Sequence, residues 1–188
     1  MHRTHLSIAA LAAISISSLS GAHVAQASVC EREMSAASKR YDVPIGMLYA
    51  VGLTETGRRG SLQPFALNIA GRPFFGSDAR DALGAFWAAR QRGIDLIDVG
   101  CMQINYRYHA RAFGSVEEML DPARNVTYAA RFLKELRTRE GNWTMAVARY
   151  HAGPNNDPAQ KRYICAVITN MVATGFGAWT TEARQFCR

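Results

Sequence analysis

Apolar side chains recur at three- and four-residue steps in segment after segment of this chain, and that spacing commits it to helices. After Pro44, residues Ile45, Leu48, Tyr49, Gly52 and Glu55 fall on one helical face, with Gly57 as a stop. Pro44 itself suits a first helical position, where no N–H is needed. "MSAASKRY", Met34 to Tyr41, predicts a short helix before it. Ser77 is placed to cap "DARDALGAFWAARQR", whose buried face is Ala79, Ala82, Leu83, Phe86 and Ala89, and Gly93 ends it. Asp121 and Pro122 open a strong helix through "ARNVTYAARFLKELRT", closed near Gly141. "WTMAVARYH" is the next, stopped by "AGPNN", and a last helix runs from about Asp157 through "YICAVITNM". Between them, "RRGSLQPFALNIAGRPFFG" carries the Gly and Pro of turns and room for one short strand at "FALNI". "DLIDVGCMQIN" is extended or a loop. The expected fold is mainly α, with at most a small β element.

The start of the chain sets its compartment. Arg3 is followed by an apolar or small stretch from Leu6 to Ser20, then by Ala25 and Ala27 in an A-x-A pattern. Residues 1–27 are expected to be a secretory signal peptide. The stretch is diluted by Ser15, Ser17, Ser18 and Ser20 and falls short of the roughly 20 apolar residues of a membrane span. The remaining 28–188 suffices for a single domain with a sizeable core. No later stretch is apolar enough to cross a bilayer. The whole chain of 188 residues has a formal net charge of +7. A basic exported domain suits an acidic matrix such as a cell wall or a membrane surface. Zinc-finger spacing and RNA-binding aromatic motifs are both missing, so nucleic acid is not the expected partner.

All four cysteines, Cys30, Cys101, Cys165 and Cys187, follow the cleavage signal. An even count in an exported chain implies two disulfides, and spacing alone leaves three pairings open. With no C-x-x-C and with His109 and His151 isolated, no metal site is expected.

Glu55 is the oddity of the chain: a lone carboxyl on an otherwise apolar helical stripe. Two readings stand at this point. The side chain either ends its helix in water or points into packing, where desolvation raises a carboxyl pKa. A carboxyl kept neutral near pH 6 to 7 can donate a proton, as a general acid must. Gln103, between Met102 and Ile104, needs hydrogen-bond partners, and Asn125 reads as a structural brace at a helix start. Asn125 and Asn142 also fit the N-glycosylation pattern. Both fall at helix starts, and the match is taken as chance.

Four stretches occur in order: "ETG", "DVGCMQIN", "DPARNVTYAARFLKEL" and "ARYHAGP". Together they resemble the lytic transglycosylases of the soluble-lytic-transglycosylase (SLT) type, which share a goose-type, lysozyme-like fold and read "ESG", "GLMQI", an Asn-led helix and "YNAGP". The likeness runs from about Cys30 to Tyr163. "GCMQ" and a long insertion, 58–99, resemble the small exported branch that serves secretion, conjugation or flagellar machines. The resemblance implies periplasmic action on peptidoglycan with no cofactor. It implies Glu55 as the single catalytic acid and base. Met102 and Gln103 would line the glycan groove, with Gln103 donating to an N-acetyl sugar, and Tyr150 would orient Glu55 or stabilise charge on the sugar. It also suggests Cys30 paired with Cys101, which leaves Cys165 and Cys187 to close the C-terminal tail. Thr56, Cys101 and His151 depart from the usual Ser, Leu and Asn. The insertion is expected to form a lid or one groove wall, with Phe65, Phe74 and Phe75 either on glycan or in the core.

Counting carboxylates points to a mechanism. Retaining and inverting glycosidases each use two, and no second acid has an evident place here. Asp98 precedes "GCMQ", and Asp78 and Asp81 look like helix-start residues. One acid suffices if the sugar supplies its own nucleophile. The expected reaction cleaves the bond between N-acetylmuramic acid and N-acetylglucosamine and closes a 1,6-anhydro ring. The alternatives are a hydrolase that uses Asp98 or an insertion acid to place water, and a wall-binding assembly protein that cuts nothing.

Overall fold

The first helix, α1 (Val29–Tyr41), starts earlier than Met34 because Ser28 caps it. The Ser28 hydroxyl accepts the Glu31 N–H at 3.3 Å, and the Glu31 carboxylate accepts the Ser28 N–H at 2.6 Å. This reciprocal pair satisfies two helix-end donors at once. The protein is seen here as a computed structural model that describes residues 28–188 except Arg59 and Pro154. The expected export segment, 1–27, lies outside the described residues.

Next, α2 (Ile45–Thr56) forms the axis of the domain, with Pro44 as its N-cap rather than its first residue. Gly46, Met47, Leu48, Ala50, Val51 and Gly52 are all buried, so the single-face reading of this helix was too narrow. It is apolar all round because helices cover it on several sides.

The insertion supplies most of the sheet. Strands β1 (Ala66–Ile69), β2 (Arg72–Phe75), β3 (Ile97–Val99) and β4 (Ile104–Asn105) form one antiparallel sheet in the order β2-β1-β3-β4. The β1–β2 turn is made by Ala70 and Gly71, both at positive φ, as a tight hairpin requires. Asn68 of β1 faces Asp98 of β3, which faces Asn105 of β4. These three polar side chains therefore lie in one cross-strand row. Between β2 and β3 runs α3 (Ala79–Gln91), capped by Asp78 rather than Ser77. Its buried residues are Ala82, Phe86 and Ala89, whereas Ala79 is exposed.

Two short helices, α4 (Tyr106–His109) and α5 (Val116–Leu120), lead into the long α6 (Pro122–Glu140). Then come α7 (Trp143–His151), α8 (Asp157–Ala173) and a short α9 (Thr181–Phe186). Asn142 is the N-cap of α7, its side chain accepting from the Met145 N–H. The main packing joins α1 to α6, α6 to α7, α7 to α8, and α2 to both α1 and α8. Leu48, Val51, Phe86, Ile97, Met119 and Leu133 are fully buried between these layers. Phe65 and Phe74 of the insertion pack against the same core, whereas Phe75 lies under the Arg58 guanidinium. Cys30 is joined to Cys101, and Cys165 to Cys187. Among the described residues, no helix is long and apolar enough to cross a membrane.

Candidate active site

Glu55 stands in the last turn of α2, which ends at Gly57. The Gly57 N–H donates to the Leu53 carbonyl at 2.9 Å, and a side chain at position 57 would run into that same carbonyl. The chain can leave the helix here only because there is no Cβ. Beside Glu55, the Thr56 hydroxyl lies within hydrogen-bond reach of the Gly52 carbonyl, at 3.1 Å, and of the Cys101 carbonyl, at 3.3 Å. That contact ties the end of α2 to the turn 100–103 between β3 and β4.

The turn is tightly determined. Gly100 has φ +77°, and a Cβ there would meet the Asn125 side-chain amide at 2.8 Å. Asn125, in the first turn of α6, is fully buried. It accepts the Met102 N–H at 2.9 Å and donates to the Val99 and Met119 carbonyls, each at 2.8 Å. The Tyr150 hydroxyl donates to the Met102 carbonyl at 2.7 Å. The Gln103 side-chain NH2 donates to the Ala66 and Gly100 carbonyls, both at 3.1 Å.

An open groove of about 430 Å³ runs past these groups. Glu55, Asn68, Asp98, Gln103, Tyr150 and His151 line it, and Tyr108, His109 and Phe132 extend it. The Asn68–Asp98–Asn105 row forms part of its wall. Asn105 donates to the Asp98 carboxylate at 2.6 Å. The side-chain oxygens of Asn68 and Asn105 are buried without a hydrogen-bond partner. Among the described residues, no group of three or more His, Cys, Asp or Glu could hold a metal ion.

The Glu55 side chain is 15% exposed. Its Oε1 accepts a 2.5 Å hydrogen bond from the Tyr163 hydroxyl of α8. Burial pushes its pKa up to about 8, the Asp98 charge adds to the rise, and the Tyr163 hydrogen bond opposes it. Asp98 is also raised by burial, against the pull of its bond from Asn105. Tyr150 and Tyr163 are both held well above the usual phenol range, chiefly by burial, and neither ionises at neutral pH. The arrangement is a carboxyl whose acid form is favoured by burial, beside an open groove, with two neutral phenols and the Asp98 carboxylate close to it.

Three expected roles need correction. Met102 is fully buried and does not line the groove. Its side chain turns inward towards α2, where its sulfur sits 3.4 Å from the Cβ that Gly52 lacks. Gln103 does line the groove, but both its amide hydrogens are spent inside the turn, so towards a ligand it accepts rather than donates. Tyr150 lines the groove near Glu55 but orients the Met102 carbonyl, and the phenol bonded to Glu55 is Tyr163. Tyr163 escaped sequence reasoning because Gln160, Tyr163, Ile164 and Val167 read as a plain core stripe. Only its hydroxyl, opposite a buried carboxyl, distinguishes it. His151 was noted as a departure from the family pattern without a role. It stacks flat on Tyr163, with ring centroids 4.2 Å apart and planes at 5°.

A helical domain with a small antiparallel sheet flanking a sheltered acid is of the lysozyme-like type. More narrowly, the chain belongs to the transglycosylase SLT domain family, whose model matches residues 33–167. Members of that family are peptidoglycan lytic transglycosylases. No curated protein and no solved structure matches the chain.

Proposed function

We propose that this protein cleaves the β-1,4 bond between N-acetylmuramic acid and N-acetylglucosamine by transglycosylation. The observation that carries the reading is Glu55, a carboxyl protonated at neutral pH by its burial and set at the edge of an open polar groove. In the first step Glu55 gives its proton to the bridging oxygen as the bond to C1 breaks. The sugar's 2-acetamido group and the neutral phenols around the acid help to carry the positive charge on the ring. Tyr163 steadies the Glu55 carboxylate that results, because a hydrogen bond to the charged form favours it. In the second step that carboxylate takes the proton of the C6 hydroxyl, whose oxygen bonds to C1. The product is a 1,6-anhydromuramyl end, no water is consumed, and Glu55 regains its proton.

Mass analysis of the fragments released from purified peptidoglycan tests this directly. Anhydro ends from the wild type and none from Glu55→Gln are expected. Fragments heavier by one water, with reducing ends, would overturn the transglycosylase reading, and undiminished release by Glu55→Gln would remove Glu55 from the chemistry.

A second reading, hydrolysis, has its own observation behind it. Asp98 lines the same groove, and its charge is felt at Glu55. A second acid is what a water-using glycosidase needs. Asp98 is, however, already engaged by the Asn105 amide at 2.6 Å. The first reading is therefore preferred. Export to the periplasm by removal of 1–27 belongs to the same proposal, and two disulfides support an oxidising compartment. So does local wall opening for a secretion, conjugation or flagellar machine, on the resemblance of "GCMQ" and the insertion.

A further inference from the structure

His151 closes α7 at the rim of the groove. Its imidazole lies flat against the Tyr163 ring, 4.2 Å between centroids. Its Nδ1 is 4.0 Å from Glu55 Oε1, the same oxygen that Tyr163 bonds at 2.5 Å. One face of the imidazole thus covers the phenol that holds the acid, while the side chain remains 46% exposed to the groove.

We propose that His151 is a positioning residue for the reaction described above. As a neutral imidazole it backs Tyr163 against Glu55, and as a cation it shuts the reaction down. The inference rests on that reaction and deepens it. A ring stacked on Tyr163 restricts the phenol to the orientation in which its hydroxyl meets Glu55. Loss of the stack frees the phenol and disorders the acid. A proton on the ring has the opposite sign of effect. The transition state of glycoside cleavage carries positive charge on the sugar. A fixed cation on the groove wall repels that charge, and at 4.0 Å from Glu55 it also favours the carboxylate over the acid.

The groups around the ring set where this happens. Glu55 of α2 faces it, neutral over the relevant range. Tyr163 and Arg162 come from α8, and the Arg162 charge adds to the effect of burial in holding the imidazole below its usual range. On its own helix, Tyr150 is neutral, and Arg149 is paired with Glu140 at 3.5 Å. Asp98 of β3 and His109 of α4 line the same groove and also titrate on the acidic side, His109 being held below its usual range by burial, so the His151 titration is followed directly.

The test is the pH dependence of kcat and KM for wild type, His151→Phe and His151→Ala, with fragment masses followed in the same samples and the His151 imidazole titrated by NMR. Wild type is expected to lose activity about tenfold per pH unit below the imidazole midpoint, which itself lies under 6.5. His151→Phe keeps the stack without the charge, so its acidic limb disappears while the alkaline midpoint stays. His151→Ala loses the stack, and kcat falls roughly tenfold with KM little changed, a loss that phenylalanine rescues. An acidic limb that persists in His151→Phe, or an Ala variant equal to wild type, overturns the inference. So does an imidazole still charged at pH 7.5, whatever the activity. Failure of the underlying reaction has a different signature, since it is read from the masses of the wild-type fragments.

Discussion

Tyr163 and Glu55, 108 positions apart in the chain, meet in a 2.5 Å hydrogen bond. In the proposed mechanism the bond lets one acid serve both halves of the reaction. There, burial would keep Glu55 protonated for the first half, and the phenol would steady its carboxylate for the second.

Tyr163→Phe separates these two influences. With the phenol gone, burial acts unopposed and the Glu55 pKa moves above about 8. The alkaline limb of the pH–rate profile should shift upward. At the same time kcat should fall about 10- to 100-fold, matching the roughly 1.5–3 kcal/mol of a hydrogen bond to a charged group. A profile with unmoved midpoints would show that the bond does not act on Glu55.

Glu55→Gln should stabilise the fold while abolishing cleavage. The folded pKa of Glu55 is raised from 4.5 to about 8. Unfolding therefore releases a proton at intermediate pH, and wild-type stability falls as pH rises from the unfolded to the folded value. The glutamine variant has no such loss. The difference should be near zero below pH 4.5 and on the order of 3 kcal/mol at pH 7. Urea unfolding at pH 4 and pH 7 measures it, and an equal difference at both pH values would contradict the assigned shift.

Asp98→Asn removes a charge that pushes the Glu55 pKa up. The alkaline limb should move to lower pH, and the fragments should keep their anhydro ends. Loss of all cleavage with intact folding would instead favour Asp98 as a direct participant.

Asn125→Ala strips three hydrogen bonds from a fully buried site and leaves the Met102 N–H and the Val99 and Met119 carbonyls without their partner. Each buried orphan costs about 1–3 kcal/mol. A loss of at least 3 kcal/mol is expected by chemical denaturation. Gly100→Ala should fail in a similar way, because φ +77° and the nearby Asn125 amide both resist a Cβ.

Much of this was legible in the sequence because it depends on local rules. Helical periodicity gave α3, α6, α7 and α8 nearly to their ends. The capping box at Ser28 and Glu31 was equally available in "SVCE", and applying it would have started α1 correctly. The site was legible only in part. Glu55 stands out on an apolar stripe, but only the structure decides between a helix end in water and the sheltered position it takes. Gln103 and Tyr150 line the groove, but their hydrogen-bond partners differ from those expected. Which oxygen a phenol meets is decided by α8 crossing α2, and no local pattern encodes that. The Asn68–Asp98–Asn105 row follows from strand register, where the sequence offered one short strand at "FALNI" and left 95–105 extended or a loop, and the described residues form four strands.

The Cys30–Cys101 bond has a consequence for how firmly the site is held together. Cys101 sits in the turn whose carbonyl meets Thr56, one residue from the acid, and its partner lies at the start of α1. With both thiols reduced, the start of α1 and that turn lose their covalent tie. Reduction would thus loosen the end of α2, where Glu55 stands, from α1 and from the turn 100–103 at the same time.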